Sequence, residues 1–241
     1  MSERFHRLKE NPSAVPLAMS AAVVLLVVVF AQLASEMLEG ELQRFDTAVA
    51  ALFRASGNIT TPIGPAWLQE AARDVTALGS FSCLGILFGA TMGYLLLLGR
   101  RRVALFVAAS LLGGAALSTG LKLGFDRPRP EAQHATRVFT ASFPSGHAML
   151  SAVTFLTLGA LLSRLEDRTR VKVYFMSVAV LLTLIVGTSR VYLGVHYGSD
   201  VVGGWCMGAA WALLCWTVAL YLQRRGQLPP PAHHPDPGSR G

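Results

Sequence analysis

The sequence predicts an all-α protein: a six-span transmembrane helical bundle with a surface amphipathic helical segment between spans one and two. Three observations lead there. Hydrophobic residues make up 52% of the 241 positions and charged residues only 15%, and a mean hydropathy of +0.47 is out of reach for a soluble domain, whose surface must be polar. Six apolar runs, residues 14–35, 79–98, 103–121, 146–163, 173–189 and 201–222, are long enough to cross a hydrocarbon layer of about 30 Å. Basic residues also alternate between the two sides of these runs. With a cytoplasmic N-terminus, the inner segments hold Arg4, Arg7 and Lys9, then Arg100, Arg101 and Arg102, then Arg164, Arg168, Arg170 and Lys172, then Arg224 and Arg225. That is the positive-inside pattern.

The first run follows a basic start and is longer than the apolar core of a signal peptide, so it reads as a retained signal-anchor. After it comes an outer segment in which Leu42, Phe45, Val49, Leu52 and Phe53 recur at helical spacing opposite Glu41, Arg44 and Arg54. Such a helix lies flat on the membrane, as a rim or as a cap over the bundle, and no catalytic role is assigned to it. Gly85, Gly89 and Gly93 in span two, and Gly204 and Gly208 in span six, suit close helix packing. Spans four and five are short and carry Ser and Thr, which would also suit re-entrant segments, but the charge pattern favours six crossings. Residues 1–225 then form a single membrane domain and 226–241, rich in Pro, a disordered cytoplasmic tail in which His233 and His234 are solvated. Cys83, Cys206 and Cys215 have no metal-ligand spacing and read as buried, unpaired thiols. The net charge of +7 reports orientation in the membrane, and without a soluble basic face carrying aromatics no nucleic-acid partner is expected.

Three polar clusters interrupt this apolar chain, and the topology puts all of them on the outer side. Lys122 ends span three, and Arg129-Pro130 follows after Asp126, Arg127 and Pro128. Lys offers a compact charge and Arg a planar fork, so the two suit one anion gripped from different sides; they would also suit snorkelling at a span end. Arg127 has Asp126 and Glu131 as ready partners. Pro144-Ser145-Gly146-His147 opens span four, where the Ser145 hydroxyl and the Gly146 amide sit at a helix N-terminus suited to an anion, with His147 in the first turn, near enough to protonate a departing oxygen. Ser189-Arg190 closes span five. His196 and Asp200, four residues apart, lie on one helical face, and Asp200 is equally placed to cap span six.

The order Lys122, six residues, Arg129-Pro130, then Pro144-Ser145-Gly146-His147, then Ser189-Arg190, five residues, His196, three residues, Asp200 resembles the three signature motifs of the type 2 phosphatidic acid phosphatase superfamily. The likeness covers roughly residues 65–222. It implies a phosphatase of the integral-membrane branch, acting on a lipid phosphomonoester such as phosphatidate or phosphatidylglycerophosphate. In that reading His196 is the nucleophile that becomes phosphohistidine, Asp200 orients it, and His147 is the general acid. Lys122, Arg129, Arg190, Ser145 and Gly146 bind the phosphoryl oxygens. Neither cofactor nor metal is implied, and no carboxylate cluster suited to Mg²⁺ is seen in the sequence. An isoprenyl diphosphate phosphatase such as the undecaprenyl type, a lipid A phosphatase or phosphotransferase, and a non-catalytic lipid-binding protein are the alternatives. The implied site is the inner membrane of a bacterium, with both termini cytoplasmic and the pocket on the periplasmic face.

Overall fold

The computed structural model describes residues 14–55, 58–130 and 141–227, and the Pro-rich tail lies almost entirely outside them. Its helices in chain order are α1 (Ala14–Glu39), α2 (Gln43–Ala51), α3 (Ala66–Ala77), α4 (Phe81–Leu97), α5 (Arg101–Leu123), α6 (Gly146–Arg164), α7 (Thr169–Tyr192) and α8 (Gly198–Arg224). Helices α1, α5, α6, α7 and α8 are each long and apolar enough to cross a membrane, and their ends fall close to those read from the runs. Leu25, Leu105 and Leu181 on the outer faces of α1, α5 and α7 are more than half exposed, as side chains that meet lipid must be.

Span two is built differently. The 17 residues of α4 rise about 25 Å, short of the hydrocarbon thickness. The chain reaches the length of a span here only together with α3, which meets α4 at a 45° bend over Leu78–Ser80. Ser80 caps the second half, its hydroxyl accepting from the Cys83 amide at 3.2 Å. The described residues thus hold five helices long and apolar enough to cross, and six candidate spans when the bent pair is counted as one.

Helix α6 is the centre of the bundle: 61% of its apolar window is buried, against 11–33% in the other four unbroken spans. It packs on α5, α7 and α8, and α1 lies along α8. The α6–α8 contact is backbone to backbone. A Cβ at Gly208 would come within 2.6 Å of the Ala152 Cβ and the Met149 carbonyl oxygen, and one at Gly204 within 2.7 Å of the Ser145 carbonyl oxygen. The packing read for these two glycines holds. For Gly85, Gly89 and Gly93 it does not, because a Cβ at any of them would meet nothing within 4 Å; this face of α4 looks away from the bundle.

The outer connection between α1 and α3 departs from a plain surface helix. It contains α2 and a small antiparallel hairpin of β1 (Arg54–Ala55) and β2 (Asn58–Pro62), with Arg54 opposite Pro62. Arg54 donates to the Tyr192 carbonyl at 2.9 Å, and the Tyr192 hydroxyl donates to the Ile63 carbonyl at 2.7 Å. These bonds pin the hairpin to the end of α7. Leu42, which caps α2, and Asp46 within it are buried, while Phe45 and the following Leu52 point outward at 45% and 70% exposure. The inward face therefore carries a carboxylate, not the continuous apolar stripe expected.

Candidate active site

All three clusters meet at one end of the bundle, because α5 ends there, α6 and α8 begin there, and α7 delivers its last turn there. At the centre is His196, 3% exposed, in the short connection from α7 to α8. Its Nδ1 lies 3.3 Å from Asp200 Oδ2, and its Nε2 lies 3.3 Å from Arg129 Nη1. Asp200 can only accept, which puts the proton on Nδ1 and leaves the Nε2 lone pair facing Arg129. Burial, opposed by Asp200, lowers the imidazole pKa to about 4, so the ring is neutral at ordinary pH.

Asp200 both caps α8 and holds the histidine. Its Oδ2 accepts from the Tyr197 amide at 2.9 Å and from the Ser142 hydroxyl, which also lies 3.4 Å from His196 Nδ1. Its Oδ1 accepts from Arg127 at 2.6 Å. Arg127 in turn donates to Asp46 Oδ2 at 2.6 Å, and Asp46 accepts from both the amide and the hydroxyl of Ser199 at 2.8 Å. Although burial opposes its charge, the two carboxylates hold the Arg127 guanidinium above its ordinary pKa. Of the partners the sequence offered Arg127, Asp126 is exposed and forms no ion pair with it, and Glu131 lies outside the described residues. It also missed Asp46, although positions 42, 46, 49 and 53 form one helical stripe in which Asp46 is the sole polar residue.

The remaining predicted residues close around the histidine. Lys122 reaches in from the end of α5, its ammonium donating to the Ala141 carbonyl at 3.3 Å, and its Cε would lie 3.1 Å from a Cβ at Gly146. Any side chain at 146 would therefore displace the lysine. Ser145 precedes α6, fully buried, with its hydroxyl unpartnered among the described residues. Arg190 donates through Nη1 to the Thr76 hydroxyl at 3.1 Å, while its Nε has no partner among the described residues. Thr76 was also missed. It belongs to α3, so the bent span contributes to the pocket wall, and Gly79 at the bend lets the chain pass 3.3 Å from the His147 carbonyl, measured to a Cβ built there. The charges of Arg190, Lys122 and Arg129 all act on His147. The pocket thus gathers three cations, unpartnered donors at Ser145 and Arg190, and two imidazoles, one of them fixed by a carboxylate. That set suits a multiply charged anion with tetrahedral oxygens, attacked by one ring and protonated by the other.

A membrane-embedded helical bundle with this site is a lipid phosphatase. Residues 103–224 match the family model of the PAP2 superfamily. The chain is 30% identical to phosphatidylglycerophosphatase B of Bacillus subtilis (strain 168) over 189 residues, covering 77% of this chain and 88% of that protein. It is 29% identical to the lipid A 1-phosphatase of Rhizobium etli, covering 64% of this chain and 74% of the other. The crystal structure of a transmembrane PAP2-type phosphatidylglycerolphosphate phosphatase from Bacillus subtilis superimposes with a TM-score of 0.72 at 27% identity, covering 84% of this chain and 98% of that one. The chain belongs to the PAP2 superfamily.

Proposed function

We propose that the protein hydrolyses a lipid phosphomonoester of the phosphatidate or phosphatidylglycerophosphate type through a phosphohistidine intermediate. The observation that carries this is the buried His196, held through Nδ1 by Asp200, with Nε2 turned to Arg129. The substrate phosphate sits among Lys122, Arg129 and Arg190, with the Ser145 hydroxyl and the Gly146 amide as further donors. His196 Nε2 attacks phosphorus as the bond to the lipid oxygen breaks, and His147 gives its proton to that oxygen, releasing the lipid alcohol. The phosphate dianion favours the imidazolium that His147 needs. Water, giving a proton to His147, then attacks phosphorus, the P–N bond breaks and inorganic phosphate leaves. The three cations stabilise the charge spread over the equatorial oxygens in both steps.

The choice of a glycerophospholipid monophosphate rests on the Bacillus phosphatidylglycerophosphatase, whose length the chain matches over 88%. The likeness to a lipid A 1-phosphatase supports a second reading, removal of a phosphate from a saccharolipid. The charge pattern supports an orientation with both termini cytoplasmic and the pocket opening on the periplasmic side of a bacterial inner membrane. Metal independence belongs to the same proposal.

The test is phosphate release by the purified protein and its His196→Ala variant, in EDTA, on phosphatidate, phosphatidylglycerophosphate, lipid A and undecaprenyl diphosphate. Release by the wild type alone, fastest on a glycerophospholipid monophosphate, is expected. Substantial turnover by the variant would refute the nucleophile, and a preference for lipid A or the diphosphate would replace the substrate.

A further inference from the structure

At the end of the bundle opposite the catalytic pocket, α5, α6 and α8 part around a cavity of about 80 Å³. Arg100, just before α5, and Arg164, in the last turn of α6, line it. The ion pairs among the described residues gather at the catalytic end and include neither arginine. Arg164 lies 5.1 Å over the ring of Trp216, which lines the same cavity. Deeper in the wall is Thr157, only 9% exposed. Thr91, Thr119, Thr183 and Thr217 each donate to the carbonyl four residues back, the usual refuge of a helical threonine. The Thr157 hydroxyl has no partner of any kind among the described residues.

An unpartnered buried hydroxyl and two arginines outside every ion pair among the described residues, facing one hollow, suit an acceptor-rich anion, and Asp167, which borders the neighbouring groove with Arg164, forms no ion pair with that arginine. A single water needs roughly 10–15 Å³, so the cavity has room for a phosphate group and its immediate substituents. The remaining walls are largely apolar, with Val103, Phe106 and Leu161 among them, which is unsuited to a freely hydrated ion. Arg164 and Trp216 also border a second hollow, a groove of about 870 Å³ along α7. Met176, Val180, Leu181 and Leu184 line that groove at helical spacing, as a seat for a hydrocarbon chain would be.

We propose that this end of the bundle binds an anionic phospholipid. Its phosphodiester lies between Arg100 and Arg164, the Thr157 hydroxyl donates to an ester oxygen deeper in the cavity, and a chain lies along α7. Side chains on a helix tilt toward its N-terminus, which brings the Arg164 guanidinium back toward Thr157. The site is not the catalytic one. From His147 to Arg164 the rise along α6 is about 25 Å. A basic pocket between spans, at the more positive end of the bundle, is where an anionic headgroup is held best.

The experiment is thermal unfolding of the full-length protein in neutral detergent, titrated with phosphatidylglycerol, phosphatidylcholine or inorganic phosphate. Phosphatidylglycerol is expected to raise the unfolding temperature saturably, and the other two are not. The Arg100→Gln/Arg164→Gln double variant should need about tenfold or more phosphatidylglycerol for the same rise, and Thr157→Val about threefold. Arg190→Gln, at the catalytic end, should respond as wild type. An equal response of wild type and both cavity variants, an equal response to inorganic phosphate or phosphatidylcholine, or loss of the response in Arg190→Gln would each overturn the proposal, as would no response to phosphatidylglycerol. If the double variant does not fold, Thr157→Val, nearly isosteric, decides alone.

Discussion

Asp200 accepts from Arg127, Ser142, the Tyr197 amide and His196, so its charge is shared among a cation, a hydroxyl, a helix start and an imidazole. Such saturation fixes the histidine ring in one orientation. The Asp46–Arg127 pair stands behind it, and Asp46→Asn removes a charge-assisted bond worth about 1.5–3 kcal/mol. The expected result is a tenfold to hundredfold fall in kcat/KM together with a lower unfolding temperature, read from kinetics and a thermal melt. His147→Ala should cost about 10²–10⁴ in rate on lipid or alkyl phosphates, whose alkoxide needs a proton, and much less on activated aryl phosphates. Equal losses on both would remove His147 from the acid role. The pH dependence follows from His196, whose folded pKa is lowered to about 4 by burial. In the proposed role as nucleophile His196 is active when neutral, so activity is expected to be lost as pH falls through about 4, not through the ordinary histidine value. The acid limb of kcat/KM, corrected for the substrate's own phosphate ionisation, should therefore lie near pH 4.

At the scale of elements, the site depends on how closely α6 and α8 approach. Gly208→Val forces a methyl against the Ala152 side chain and the Met149 carbonyl, an overpacking that costs about 1–3 kcal/mol. The same change at Gly89, where a Cβ meets nothing, should leave the melting temperature within about a degree or two of wild type. A comparable loss at both positions would contradict the packing described. In the sequence these glycines look alike. Four-residue spacing identifies a smooth helix face but not what lies against it, so Gly204 and Gly208 were read correctly and Gly85, Gly89 and Gly93 were not. Helix α2 teaches the same lesson. Its amphipathic period was legible, yet an acidic residue on the inward stripe was passed over because hydropathy alone treats Asp46 as an outward position.

Across the whole molecule, function requires the three clusters to share one end, and the alternation of spans meets that requirement. The proposed orientation predicts that a cysteine at Leu52, exposed near the catalytic end, reacts with a membrane-impermeant thiol reagent applied to intact cells. A cysteine at Gln227, after α8, should react only once the membrane is opened. These reporters belong in a background in which Cys83, Cys206 and Cys215 are replaced, since all three are free thiols. The reverse pattern would invert the topology and place the pocket in the cytoplasm.

By itself the sequence determined the apolar runs, the sharing of one end by the three clusters and the residues proposed to meet phosphate. Hydropathy runs follow from composition, since a backbone in lipid must satisfy its own hydrogen bonds, and helical spacing then places His196 and Asp200 on one face. Only the tertiary structure decided that Arg127 bridges Asp200 and Asp46, partners 73 and 81 residues away. It also decided that α3 bends against α4 and brings Thr76 to Arg190, 114 residues distant. Such pairings depend on which faces meet when the helices pack, and no local period in the chain encodes that choice.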